Sequence, residues 1–120
     1  VRTSAGAGRS SWAWSEPDQQ NMIAAISDVA YELAERAAET SDAELMLKAA
    51  TRGAMASPAS EAHIRHKLTA YAHLGDQDAF ESTVTALYSQ CEALEEEGPE
   101  PETAQLIDAL KERFDKRKAG

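Results

Sequence analysis

A single cysteine, Cys91, rules out a disulfide within these 120 residues, which fits a reducing compartment. No apolar run approaches the roughly 20 residues that a membrane helix needs, and the start lacks the charged-then-apolar layout of a secretory signal. The segment is therefore expected to be soluble, without membrane insertion, and cytoplasmic, either free or as the cytoplasmic part of a membrane-anchored protein. Metal chemistry lacks its ligands: there is no CxxC and no His-Glu-x-x-His, and His63, His66 and His73 are the only histidines. A glycine-rich phosphate loop, a Ser/His/Asp order in strand context and an apposed carboxylate pair are missing too. The expectation is a non-enzyme with no cofactor. Bases are also scarce, 12 against 21 acids for a net charge of −9, and such a balance opposes the phosphate backbone of nucleic acid. The partner to expect is protein.

What the chain does have is helix punctuation. In Thr69-Ala70-Tyr71-Ala72-His73-Leu74-Gly75-Asp76-Gln77-Asp78-Ala79-Phe80 an amphipathic stretch ends at a glycine and the next begins at an aspartate. Gly75 suits the left-handed backbone that closes a helix, and Asp76 suits the cap that accepts from the free amides of the following one. Glu39-Thr40-Ser41-Asp42-Ala43-Glu44 repeats the pattern, and Asp42 precedes Asp76 by 34 residues, the length of a tetratricopeptide unit.

Taken in order, residues 1–11 are small, polar and aperiodic, and residues 1–14 are expected to form a flexible linker or tail ahead of a helical domain over 15–118. Trp12 and Trp14 have two readings, an anchor folded back on the bundle or an exposed contact for a preceding domain. The first helix opens at Ser15-Glu16-Pro17-Asp18 and runs to about Glu39, with Met22, Ile23, Ile26, Val29, Ala30, Leu33, Ala34 and Ala37 as its core face. Ser41 and Glu44 have the spacing of a capping box, and the helix that follows carries Leu45, Met46, Ala49, Ala50, Gly53 and Ala54, to stop near Ala56 before Pro58. A glycine inside a helix costs about 1 kcal/mol relative to alanine, so Gly53 points to a closely approaching neighbour. Ser60 opens the third helix, inward at Ile64, Leu68, Tyr71 and Ala72; the fourth carries Phe80, Val84, Leu87, Cys91 and Leu94 and ends at Gly98-Pro99. A fifth, opened by Glu100-Pro101-Glu102-Thr103, carries Leu106, Ile107, Leu110 and Phe114 and is basic at its end.

Four acid-first pairs at helical spacing, Glu32/Arg36, Glu44/Lys48, Glu61/Arg65 and Glu112/Lys116, mark solvent faces. Cys91, within an apolar stripe and beside acids, reads as an inert buried thiol. The acid run from Glu92 to Glu102 and the basic end at Lys111, Arg113, Lys116, Arg117 and Lys118 read as solvated surface, or alternatively as the two halves of a head-to-tail contact between molecules.

The sequence Ala70-Tyr71-Ala72-His73-Leu74-Gly75-Asp76 with Ala79-Phe80, the Leu87 to Leu94 stripe, and Glu100-Pro101-Glu102-Thr103-Ala104-Gln105-Leu106 together resemble the bacterial transcriptional activator domain, over most of residues 17–113. That family is an all-helical, tetratricopeptide-like module of bacterial, especially actinobacterial, regulators. The helix-Gly-Asp-helix part is generic to tetratricopeptide repeats, whereas Glu-Pro-Glu-Thr-x-x-Leu is more particular. In the family the module usually follows a winged-helix DNA-binding domain; in a second context, to which the tryptophans and the Gly53-Ala54 helix look closer, it ends a membrane-spanning protein with a LysM segment. No winged helix lies in these 120 residues, so DNA reading does not transfer to them. The resemblance implies a regulatory protein-contact or self-association module and offers no catalytic residues.

The architecture expected is all-α: about five antiparallel helices in a right-handed tetratricopeptide-like stack. In such stacks the first helix of each pair lines the concave side, which makes Arg65, His66, Thr69 and His73 on the third helix the expected partner surface. The end helix, with nothing stacked beyond it, is the expected route to a weak homodimer through Leu110 and Phe114. Candidate protein partners are the chain's own upstream domain, a polymerase subunit or a second copy. The leading function is a contact module in transcription regulation; the alternative is a structural or oligomerisation domain at the C-terminus of a membrane-linked LysM-type protein.

Overall fold

The structure, a computed structural model, describes residues 16–119. They form five helices: α1 (Glu16–Glu39), α2 (Ala43–Ala56), α3 (Glu61–Leu74), α4 (Gln77–Ala93) and α5 (Pro101–Ala119). The fold is all-α, as the punctuation predicts. The tail over residues 1–14, with Trp12 and Trp14, and the Ser15 cap lie outside the described residues.

The 34-residue repeat holds down to individual hydrogen bonds. After α1, Ser41 N donates to Ala38 O and Asp42 N to Ala37 O; after α3, Gly75 N donates to Ala72 O and Asp76 N to Tyr71 O. Every one of these positions maps onto its counterpart 34 residues later. Both turns place a residue in left-handed backbone, Ser41 at φ 57° and Gly75 at φ 75°, and both follow it with an aspartate cap. Asp42 Oδ1 accepts from Leu45 N and Asp76 Oδ1 from Ala79 N, each at 3.1 Å. The cap of α2 is thus Asp42, and Ser41 closes the preceding helix instead of forming a capping box with Glu44. A left-handed serine lacks glycine's freedom, and the aspartate one residue later is better placed to reach the free amides.

The end of α4 also differs from expectation. It stops at Ala93, ahead of Gly98-Pro99, because Glu95 adopts left-handed backbone at φ 59° and the chain closes through Glu95 N to Glu92 O and Glu96 N to Cys91 O. Leu94 is consequently exposed and leaves the stripe that Phe80, Val84, Leu87 and Cys91 bury.

Packing centres on α3. It touches α2 on one side, α4 and α5 on another, and α1 at a few positions. The larger core joins Leu68 and Ala72 of α3 to Phe80, Val84, Leu87 and Cys91 of α4 and to Ile107, Leu110 and Phe114 of α5. A second core, built of Ala34, Ala37, Met46, Ala49 and Ala70, joins α1, α2 and α3. Small side chains there let the helices approach closely but contribute less buried apolar area per residue.

Of the four surface pairs, Glu112–Lys116 forms, at 3.5 Å. Glu61 instead accepts from Glu100 N at 3.0 Å and Arg65 turns to Glu100 at 3.1 Å, so both tie α3 to the start of α5. Cys91 is buried, and burial first, then the Glu96 and Glu61 carboxylates, push its thiol above the ordinary value, as for an inert thiol.

Because Asp76 satisfies an amide that opens α4, replacing it with alanine should cost about 1 kcal/mol. Urea melts of the two proteins measure this, and an unchanged midpoint would show that the cap contributes nothing.

Candidate functional site

The residues singled out from sequence are not brought together on one open face. Arg65 spans from α3 to α5: Nη1 donates to Glu100 Oε1 at 3.1 Å and to the buried Thr103 hydroxyl at 2.9 Å, while Nη2 lies 3.7 Å from Glu102. His66 is buried under α1. Thr69 is half-buried and its hydroxyl donates to Arg65 O at 2.9 Å; His73 alone of the four is exposed. A helix face that reads as free in sequence is here covered by helices contributed from both directions along the chain. Leu110 and Phe114 are likewise core residues, with the Phe80 and Phe114 rings 5.2 Å apart and tilted by 53°. The last helix is covered by α3 and α4, so it leaves neither side chain available to a second molecule.

Two features that sequence reasoning missed stand out. The first is a polar junction between α1 and α3. Ser27, Tyr31 and Glu35 recur every fourth residue along one stripe of α1, and His63 and His66 face them, one turn apart on α3. The Ser27 hydroxyl lies 2.7 Å from His63 Nε2, His66 Nε2 donates to Glu35 Oε2 at 2.6 Å, and the Tyr31 ring sits 5.0 Å from that of His66. Gly53 of α2 completes the junction, since the His63 imidazole occupies the space a Cβ would need. The close neighbour that Gly53 implied is this ring.

Both Nδ1 atoms are buried without a hydrogen-bond partner among the described residues. A proton on His63 Nδ1 would have no acceptor, and burial, reinforced by His66 nearby, holds the His63 pKa below its ordinary value. The junction holds helices together; among the described residues no cluster of three or more His, Cys, Asp or Glu side chains is arranged to take a metal ion.

The second feature is an open apolar seam. The face assigned to the core of α1 splits in two: Ala30, Ala34 and Ala37 are buried, but Met22, Ile23, Ile26, Val29 and Leu33 are exposed, Val29 by 67%. The reason is positional. α1 has 24 residues against 14 in α2, so its first turns run past its hairpin partner, and its neighbours α2 and α3 leave the flank away from α3 uncovered. A shallow concavity there is lined by Asp28, Val29, Glu32, Leu33 and Arg36. The hydrophobic period marks apolar residues but does not say which neighbour covers them.

Compared with protein-family models, curated proteins and solved structures, the chain matches none. Among the described residues no helix is long and apolar enough to cross a membrane.

The junction generates two predictions. Adding a methyl in Gly53→Ala overpacks against the buried His63 ring at about 1–3 kcal/mol, while the gain in helix propensity returns about 1 kcal/mol. Net destabilisation is expected in urea melts, and truncating the ring with His63→Ala should largely abolish the effect of the alanine; an equal or raised midpoint for Gly53→Ala alone would refute the close approach. The second concerns pH. With its folded pKa lowered, His63 takes up a proton more readily in the unfolded chain, so its contribution to stability is intact above the unfolded value and lost as pH falls through it. NMR titration of the His63 ring should give a midpoint below about 6.5, and His63→Gln should flatten the acid-side decline of the urea midpoint; an ordinary titration would sink the assignment.

Proposed function

We propose that this chain is a non-catalytic protein-contact module of a larger bacterial transcription regulator, and that its contact surface is the flank of α1. The observation that carries the reading is the seam: five large apolar side chains on one helix, all at least 40% exposed. Contiguous exposed apolar surface of this kind marks interaction sites in folded proteins. The resemblance to the bacterial transcriptional activator domain, through Gly75-Asp76 and Glu100-Pro101-Glu102-Thr103, supplies the regulatory context, with the protein's own upstream domain or a polymerase subunit as partner. Thr69 and His73 on α3 remain reachable as a subsidiary contact, whereas Arg65 and His66 act within the fold. The net charge of −9 supports a role without direct nucleic-acid contact, and no cofactor is needed for any part of it.

The second reading, an oligomerisation domain at the C-terminus of a membrane-linked LysM-type protein, draws on the same seam, because Met22, Ile26, Val29 and Leu33 have the alternating spacing of a helix-pairing surface. Both readings place this segment in the cytoplasm.

A chromosomal Val29→Asp, Leu33→Asp double substitution in the full-length gene product tests the transcriptional reading. RNA sequencing should show transcript changes that match those of the gene deletion, at unchanged protein abundance. Unaltered transcripts in both strains would remove transcription regulation from the proposal.

A further inference from the structure

Met22, Ile26, Val29 and Leu33 step along α1 by four, three and four residues. These are alternate core positions of two successive heptads, the pattern of a coiled-coil seam. By helical geometry of 100° per residue the seam is centred roughly 70° round from the buried Ala30 stripe, on the side away from Ser27, Tyr31 and Glu35. A helix laid along it would clear both α2 and α3. Exposures of 43%, 46%, 67% and 40% along the seam show that nothing among the described residues covers it.

We propose that the occupant is α1 of a second copy of this chain, packed antiparallel along Met22, Ile26, Val29 and Leu33. The proposal rests on the reading of the α1 flank as the contact surface and commits it to a partner. Three observations select that partner and its direction. The spacing is its own mirror image, so a two-fold axis between Ile26 and Val29 sets Met22 opposite Leu33 and Ile26 opposite Val29 of the other copy, all four layers filled on both sides. Charge selects antiparallel over parallel: the next seam position is Arg36, which a parallel pair would set against its own copy. The antiparallel pair sets it instead opposite the uncharged Gln19 of the partner helix. The flanking positions along the seam agree, since Glu32 then falls near the partner's Ala25 and Ile23 near its Ala30, where small residues permit close approach. The part of α1 that runs past α2 is long enough to hold half of the seam clear of the rest of the fold.

The whole 120-residue chain is the test protein. Light scattering over a concentration series should show the mean mass rising from one chain towards two. Ile26→Glu with Val29→Glu should hold it at one chain while leaving the helical circular dichroism and the thermal melt intact, because both side chains are exposed in the single chain. For direction, an equimolar mixture of Met22→Cys and Leu33→Cys chains should oxidise to the mixed dimer. Positions 22 and 22 of an antiparallel pair lie about 16 Å apart along the axis, from eleven residues at 1.5 Å each, beyond disulfide reach. Cys91 is buried and does not compete.

A one-chain mass at every concentration overturns the self-pairing, as does a mixture that yields each homodimer but no mixed product. A wild type that stays at one chain, with tryptophan emission that shifts red in Val29→Glu, would instead assign the seam to the Trp12-Ala13-Trp14 segment and also overturn it. The transcript experiment fails separately. Unaltered transcripts with a normal mass rise leave the self-pairing standing and remove only the regulatory context, whereas a one-chain mass with altered transcripts does the reverse.

Discussion

The position of α3 governs the rest of the molecule. Among the described residues it is the one helix that packs on all four of the others. Towards α4 and α5 it offers Leu68 and Ala72 to a core of ordinary bulk that includes Phe80, Leu87, Ile107, Leu110 and Phe114. Towards α1 and α2 it offers Ala70 to a core of alanines and Met46, and His63 and His66 to Gly53 and the polar stripe of Ser27, Tyr31 and Glu35. A helix that is buried on two sides has little surface left, and this is why the side chains of α3 act chiefly as internal connectors: Arg65 to α5 and His66 to α1.

The histidine junction is the specific device that fixes α1. An interface of alanines alone is undirected, since small apolar side chains slide past one another with little change in buried area. The Ser27–His63 and Glu35–His66 pairs, two turns apart on α1, define one register between the helices. Registry is the best-attested use of polar groups within an apolar interface, and here the Gly53 contact adds a steric stop on the third side. Glu35 is about half exposed, so the pair is screened and its value lies more in geometry than in energy.

Fixing α1 in this way has a consequence for the surface. With its polar stripe turned to α3 and its alanines to α2, the bulky apolar residues of α1 can only face outward. An uncovered apolar face of this size on an outer helix is the kind of surface at which folded proteins meet one another. The exposed apolar seam and the register of the α1–α2–α3 core are thus two aspects of one rotational setting of α1.

Much of this was legible in the chain itself. The helices, the cap at Asp76, the 34-residue repeat, the buried stripe from Phe80 to Cys91 and the meaning of Gly53 follow from local rules, because capping, chain reversal and helical period act within a few residues. Closing geometry was less legible where an ordinary residue took left-handed backbone, as Ser41 and Glu95 do, since their side chains carry no signal comparable to a glycine's. The covering of each face was decided only in three dimensions. Met22, Ile26, Val29 and Leu33 look like core and are exposed, while His63, His66, Leu110 and Phe114 are buried, although His66, Leu110 and Phe114 had been expected to reach a partner or a second copy. The physical reason is common to all of them: an apolar period shows that a helix has a face, but burial depends on how many helices reach that face, and neighbours far along the chain settle that number.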